Sequence, residues 1–218
     1  MSTAPLPTHV CLILYEGFQS LDVFGPIDIL NVLSQLYPSL RLSILAPTLS
    51  PISTRTSPSS LFTQSVLPTH TYASPPTSID AVLLPGGLGA RPPADHAALY
   101  AFLQTVYPTL HSLLTVCTGS ALLAQTGLLD HRRATSNKRA WSWVKTLGTD
   151  VEWVAKARWV VDGNIWTSSG VAAGTDMCIA WVGAVWGEAV ARDIGERIEY
   201  RVNGDAGDDP FAEIHGAK

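Results

Sequence analysis

Charge is scarce in this chain. Asp, Glu, Lys and Arg make up 15% of its 218 residues, and 14 basic against 18 acidic residues leave a formal net charge of −4. No basic stripe and no alternation of basic with aromatic residues appears, which argues against nucleic acid as a partner. Cysteine is scarcer still. The three cysteines, Cys11, Cys117 and Cys178, form no CxxC pair, so neither a disulfide framework nor a zinc site is expected, and reduced thiols are. A long apolar run is also missing. The N-terminal "MSTAPLPTHVCLILYEG" has no basic residue ahead of an apolar stretch of about seven residues, too short for a signal peptide or a membrane span. No membrane partner and a cytoplasmic location are the expectation.

What is there reads as alternating strand and helix. His9 to Tyr15 is a short apolar run and a good first strand. Leu21, Phe24, Ile27, Leu30 and Leu33 then recur every three residues, which argues for a helix to Leu36. Pro26 is tolerable only in a first turn, so that helix is expected to start near Asp22. Arg41 to Ala46 is a second strand, and the Ser-, Thr- and Pro-rich 49–76 stretch is expected to hold short strands and loops. Asp80 to Leu84 reads as a buried parallel strand ending in Pro85-Gly86-Gly87. A helix from Ala94 to Tyr107, a strand from Ser112 to Val116 and a helix from Gly119 to Gln125 follow. Such alternation with continuously apolar strands predicts a three-layer α/β/α sandwich, flavodoxin-like, with a mostly parallel central sheet.

The last third departs from this rhythm. Val151 to Ser168 predicts a β-hairpin turning at Asp162-Gly163-Asn164, and helices are expected from Ala173 to Trp186 and from Glu188 to Arg201. All seven tryptophans lie between Trp141 and Trp186. They read as core and hairpin packing, or as an aromatic subunit interface or pocket wall. No repeat or domain boundary is visible, so a single domain over 1–218 is expected, with loose or peripheral ends at 1–8 and 203–218. That length buries a core without needing a metal or disulfide staple.

The chemistry concentrates in "LLTVCTGSALLAQTGLL", Leu113 to Leu129. Cys117 closes an apolar strand just before a helix, and Thr118, Gly119 and Ser120 are small enough for a nucleophile-elbow turn. Ligands of an open parallel sheet bind beyond the carboxyl ends of its strands, which is where this sulfur falls. The following helix N-terminus is expected to lower the thiol's pKa. The alternative is a merely buried thiol, and Cys11 and Cys178 are assigned to the core on that ground. Gly87 N–H paired with Thr118 N–H would make a two-donor anion hole. Gly86-Gly87 lacks the GxGxxG spacing of a dinucleotide site. Asp22 also follows a strand end, either as a site acid or as an ordinary first-turn helix residue. Asp28 is expected on a solvated face. No histidine directly follows Cys117, and His131 lies too near the far end of the elbow helix to reach it. A carboxylate is therefore the better partner for the thiol.

The segments "LDVFGPIDIL", "AVLLPGG", "VCTGSALLAQTGLLDHRRATS" and "GVAAGTDMCIA" occur in the order seen in the ThiJ/PfpI superfamily, the class I glutamine amidotransferase-like fold. The resemblance spans roughly Val10 to Tyr200 and is strongest to the isocyanide hydratase branch. It implies Cys117 as nucleophile, Asp22 as its acid/base partner, Thr118 adjoining both, a homodimer and no cofactor. Gly86 and Asn137 would border the pocket. This chain reads "ATSNK" where hydratase-like members often read "ATTHW", so Asn137 stands where a histidine can stand. Glyoxalase- and protease-type members carry Glu at the Asp22 position. The implied reaction is hydration of an isocyanide to an N-substituted formamide through a thioimidate on Cys117. The alternatives are a glyoxalase-type conversion of methylglyoxal to lactate and a redox sensor with an oxidisable Cys117. A DNA-binding regulator is disfavoured, because no helix-turn-helix segment is seen.

Overall fold

The computed structural model describes residues 5–92 and 94–218; the first four residues of the expected N-terminal tail lie outside it. In chain order the elements are β1 (His9–Ile13), α1 (Ser20–Leu36), β2 (Arg41–Ala46), β3 (Ile52–Ser53), β4 (Ser65–Val66), β5 (His70–Thr71), β6 (Ala81–Leu84), α2 (Ala97–Val106), β7 (Ser112–Thr115) and α3 (Gly119–Ala124). Then come β8 (Arg133–Ala134), α4 (Trp141–Leu147), β9 (Glu152–Trp153), β10 (Trp159–Asp162), β11 (Ile165–Ser168), α5 (Val171–Trp186), α6 (Glu188–Arg197) and α7 (Phe211–Ile214).

The seven-stranded sheet has the order β10-β11-β7-β6-β1-β2-β5. Every pairing in it is parallel except the β10–β11 hairpin at one edge. β1, β6 and β7 are buried along their whole length, as strands covered on both faces must be, and this accounts for their unbroken apolar runs. Helices α1, α5 and α6 pack together, and α2 and α4 pack on α3, completing an α/β sandwich. The chain leaves β1 for β2 on one side and then returns to β6 on the other. That reversal is the topological switch of a flavodoxin-like sheet, and it opens a crevice where the loops after β1, β6 and β7 meet.

Several boundaries move. Helix α1 begins at Ser20 and carries Pro26 inside it rather than in its first turn. Its start is fixed by the neighbouring loop, because Gln19 N–H donates to Gly86 O at 2.8 Å and Phe18 bridges Gly87. A three-residue period drifts around a helix of 3.6 residues per turn. Ile27, Leu30 and Leu33 are therefore buried while Leu21 and Phe24 lie exposed. The hairpin starts at Trp159, since Glu152–Trp153 pairs instead with Arg133–Ala134. α6 stops at Arg197, and Glu199 follows in the left-handed region at φ 51. Residues 203–218, expected to be flexible or peripheral, lie mostly exposed at the periphery but are anchored: Asp209 is buried against Lys138, Arg158 N–H donates to Ala206 O, and the Trp141 indole donates to Lys218 O. Cys11 and Cys178 are buried in the core, as are Trp141, Trp159 and Trp181. No helix among the described residues is long and apolar enough to cross a membrane.

Candidate active site

The sulfur-bearing residue sits in backbone strain. Cys117 follows β7 with φ at 57, a conformation that side chains with a Cβ rarely adopt. Its main chain is fixed at both ends. Its N–H donates to Ser169 O at 2.9 Å, and its carbonyl accepts from Ser120 Oγ at 3.1 Å and Ser136 Oγ at 2.9 Å. Close approach of the neighbouring strand end also needs a bare backbone at Gly119, where a Cβ would fall 2.4 Å from Leu84 O. The sequence of small residues after Cys117 is thus what lets the turn fit against β6.

Asp22 reaches the same point from the first turn of α1. It is fully buried, and its Oδ2 accepts the Gly86 N–H at 2.9 Å. Oδ1 has no hydrogen-bond partner in the protein, and the neighbouring Cys117 thiol favours the carboxylate. Gly86 makes the meeting possible. A Cβ there would lie 2.4 Å from Thr118 N, 2.6 Å from Thr118 Oγ1 and 3.0 Å from Asp22 Oδ2.

Burial dominates the electrostatics. Desolvation pushes the Asp22 carboxyl up to about 7, against the pull of the Gly86 N–H and the Cys117 thiol. The same burial, followed by the Asp22 charge, pushes the Cys117 thiol well above its usual value, although Thr118 N–H and the Asn137 and Thr118 side chains favour the thiolate. The expected lowering by the helix N-terminus is overturned, since burial of Cys117, only 7% exposed, and the Asp22 charge outweigh it. The resting pair is therefore a thiol beside a carboxyl that ionises near neutral pH.

The anticipated two-donor anion hole is also altered. Gly87 N–H is engaged by Thr118 Oγ1 at 2.9 Å, which leaves Thr118 N–H as the backbone group that favours the thiolate. Asn137 favours the thiolate as well: its Oδ1 accepts from Ala140 N–H at 3.0 Å, which leaves its amide nitrogen as the group available to the site. The six site residues expected from the sequence, Asp22, Gly86, Gly87, Cys117, Thr118 and Asn137, thus share one crevice. Sequence reasoning missed Ser136 and Ser169, which hold the Cys117 main chain, and the buried cation Lys138. Ser169 carried a usable signal, because it follows β11 at the same sheet edge; Ser136 and Lys138 lie in a loop and carried none. Among the described residues no cluster of three or more His, Cys, Asp or Glu side chains is arranged to hold a metal ion.

The sequence profile of the DJ-1/PfpI family matches residues 8–184. This chain belongs to the DJ-1/PfpI family. Its similarity extends to an isonitrile hydratase from Pseudomonas putida, 29% identical over 192 residues, covering 88% of this chain and 78% of the relative. Among solved structures, a ThiJ/PfpI family protein from Pseudomonas syringae superposes with a TM-score of 0.75 at 26% identity, over 90% of this chain and 76% of that one. The fold recurs in Drosophila melanogaster DJ-1beta, with a TM-score of 0.72 at 17% identity over 90% of this chain and all of that one. This DJ-1/PfpI chain therefore has the family's α/β sandwich, with Cys117 at the end of a central strand.

Proposed function

We propose that this protein is a cysteine-dependent hydratase of small electrophiles, and that its substrate class is the isocyanide, R–NC. The observation that carries the reading is the buried Asp22 carboxyl, ionising at about 7, held against the Cys117 thiol. A group with that pKa can both take and return a proton at neutral pH. The similarity to an isonitrile hydratase over most of the chain supports the choice of substrate class.

In the proposed cycle the Asp22 carboxylate accepts the thiol proton as Sγ attacks the terminal carbon of the isocyanide. Asp22 then delivers that proton to the same carbon, giving the thioimidate R–N=CH–S–Cys117. Water adds to this carbon with Asp22 as base, and one of its protons ends on nitrogen. Collapse breaks the C–S bond, returns the other proton to sulfur and releases R–NH–CHO. The atoms balance as one isocyanide plus one water. Thr118 N–H and the Asn137 amide stabilise charge on sulfur as the proton leaves.

We further propose a homodimer. The exposed Leu21 and Phe24 on α1 support an apolar contact between copies, and the mass in solution checks it.

The experiment is formamide release from alkyl and aryl isocyanides. Turnover is expected for the wild type and a loss of at least a thousandfold for Cys117→Ser and Asp22→Asn. A serine variant with full turnover would overturn the nucleophile. Lactate formation from methylglyoxal that depends on Cys117, without formamide, would assign the glyoxalase reaction instead.

A further inference from the structure

A cavity of about 340 Å³ lies between the N-terminus of α5 and the C-terminal helix α7. Val171, Ala172, Ala173 and Phe211 supply apolar wall, and Asn137 and Ser169 connect it to the thiol. Asn137 lines this space and its amide favours the Cys117 thiolate, and Ser169, which also lines it, accepts the Cys117 N–H on its carbonyl at 2.9 Å. A substituent carried by a molecule bound at Cys117 has this space beside it.

The polar groups here favour an anion. Lys138, Arg139 and Arg158 line the cavity with Asp209 as the acidic member. Asp209 is matched by Lys138 at 3.3 Å, and Arg158 is paired with Asp176, while Arg139 has no ion-pair partner among the described residues. Ser169 is 2% exposed, and its hydroxyl finds no hydrogen-bond partner in the protein. An unsatisfied buried hydroxyl is costly and marks a place where a bound group completes the bonding. The 16-residue α5 starts beside it at Val171, with no side chain capping its first amides. Those amides and the helix dipole add positive potential at the same end.

We propose that this cavity binds a carboxylate-bearing substituent, so that the preferred substrate is an isocyano acid, with Ser169, Arg139 and the first turn of α5 receiving the carboxylate. The choice of an isocyano acid rests on the hydratase reading; the carboxylate site does not. The family match ends at residue 184, whereas Phe211 and His215, which also line the cavity, lie beyond it. The specificity is thus built partly from this chain's own C-terminal segment.

The test has a binding arm and a kinetic arm. Calorimetry on the full-length protein compares N-formylvaline with N-formylvalinamide, which differ in carboxylate against carboxamide. The acid is expected to bind at least tenfold tighter, with that preference lost in Arg139→Gln and reduced in Ser169→Ala. Equal affinities in the wild type, or a preference that survives both substitutions, would overturn the site. Kinetics then compare isocyanoacetate with its methyl ester, and a lower KM with little change in kcat is expected for the acid. Carboxylate preference without turnover of any isocyanide would sink the hydratase reading and leave the site standing. Turnover that favours the ester would sink the proposed specificity.

Discussion

At the scale of single residues, the decisive quantity is the cost of charging Asp22. Its ordinary value of 3.8 rises to about 7 in the fold, which corresponds to about 4 kcal/mol against the carboxylate at high pH. A carboxyl whose folded pKa exceeds its unfolded one holds its proton longer in the native state. Its contribution to stability is complete below pH 4 and is lost as pH rises through 7. Wild-type stability relative to Asp22→Asn should therefore decline between about pH 4 and pH 7, which urea denaturation at pH 4.5 and pH 8 would read as a closing or reversed gap. A gap that is constant with pH would mean that Asp22 is not the group penalised. The same titration sets activity. If Asp22 must be ionised to take the thiol proton, kcat/KM should rise with an inflection near 7. The individual identities of Cys117 and Asp22 were legible in the sequence, because each follows a strand end. Their pKa values were not, since desolvation depends on packing from elements distant along the chain, and it reversed the expected sign for Cys117.

At the scale of elements, the site exists because three strand-end loops approach within backbone contact. Gly86 is the narrowest point. Its N–H holds Asp22, and its missing Cβ leaves room for Thr118. Gly86→Ala should cost about 1–3 kcal/mol through overpacking against fixed main chain, and it should abolish turnover by pushing Asp22 from Cys117. A thermal shift together with formamide release checks both. An alanine variant with unchanged activity would show that the 2.4 Å approach to Thr118 N is relieved elsewhere. The strand and helix pattern was readable because buried parallel strands are continuously apolar, and β6, β7 and the elbow fell where expected. Ends were less readable. The start of α1 is dictated by the Gln19–Gly86 hydrogen bond rather than by Pro26, and the start of the hairpin by a competing β8–β9 pairing. Both are contacts between segments far apart in sequence, which local propensity does not encode.

At the scale of the whole molecule, the C-terminal segment is tied to the site through one buried ion pair. Lys138 Nζ stands 3.3 Å from Asp209 and also donates to Thr135 Oγ1, Ser136 O and Ala157 O. Lys138 follows Asn137, so the pair anchors both this site residue and the segment leading into α7. A polar tail with no apolar period gave no sign of this, because the anchor is one aspartate matched to a lysine seventy-one positions earlier. Burial lowers Lys138 to about 8, and Asp209 only partly restores it. Asp209→Ala removes that restoring charge and leaves a buried cation unmatched, a loss of about 3–5 kcal/mol at pH 7 for a pair of this kind. The sign of its pH dependence follows. A lysine with a depressed folded pKa stabilises the fold most above its unfolded value, and that contribution falls away as pH drops through the folded value. Without Asp209 the folded pKa of Lys138 drops below about 8, so this part of the destabilisation should be largest below the lowered value, shrink as pH rises from there toward 8, and be gone well above it, where the amine is neutral in both proteins. Denaturation midpoints at pH 7 and pH 10 measure this directly. The double variant Lys138→Met with Asp209→Leu should recover most of the lost stability by replacing the pair with apolar volume. If it does so while leaving kcat low, the pair positions Asn137 as well as stabilising the fold; if both stability and kcat return, the pair acts on the fold alone.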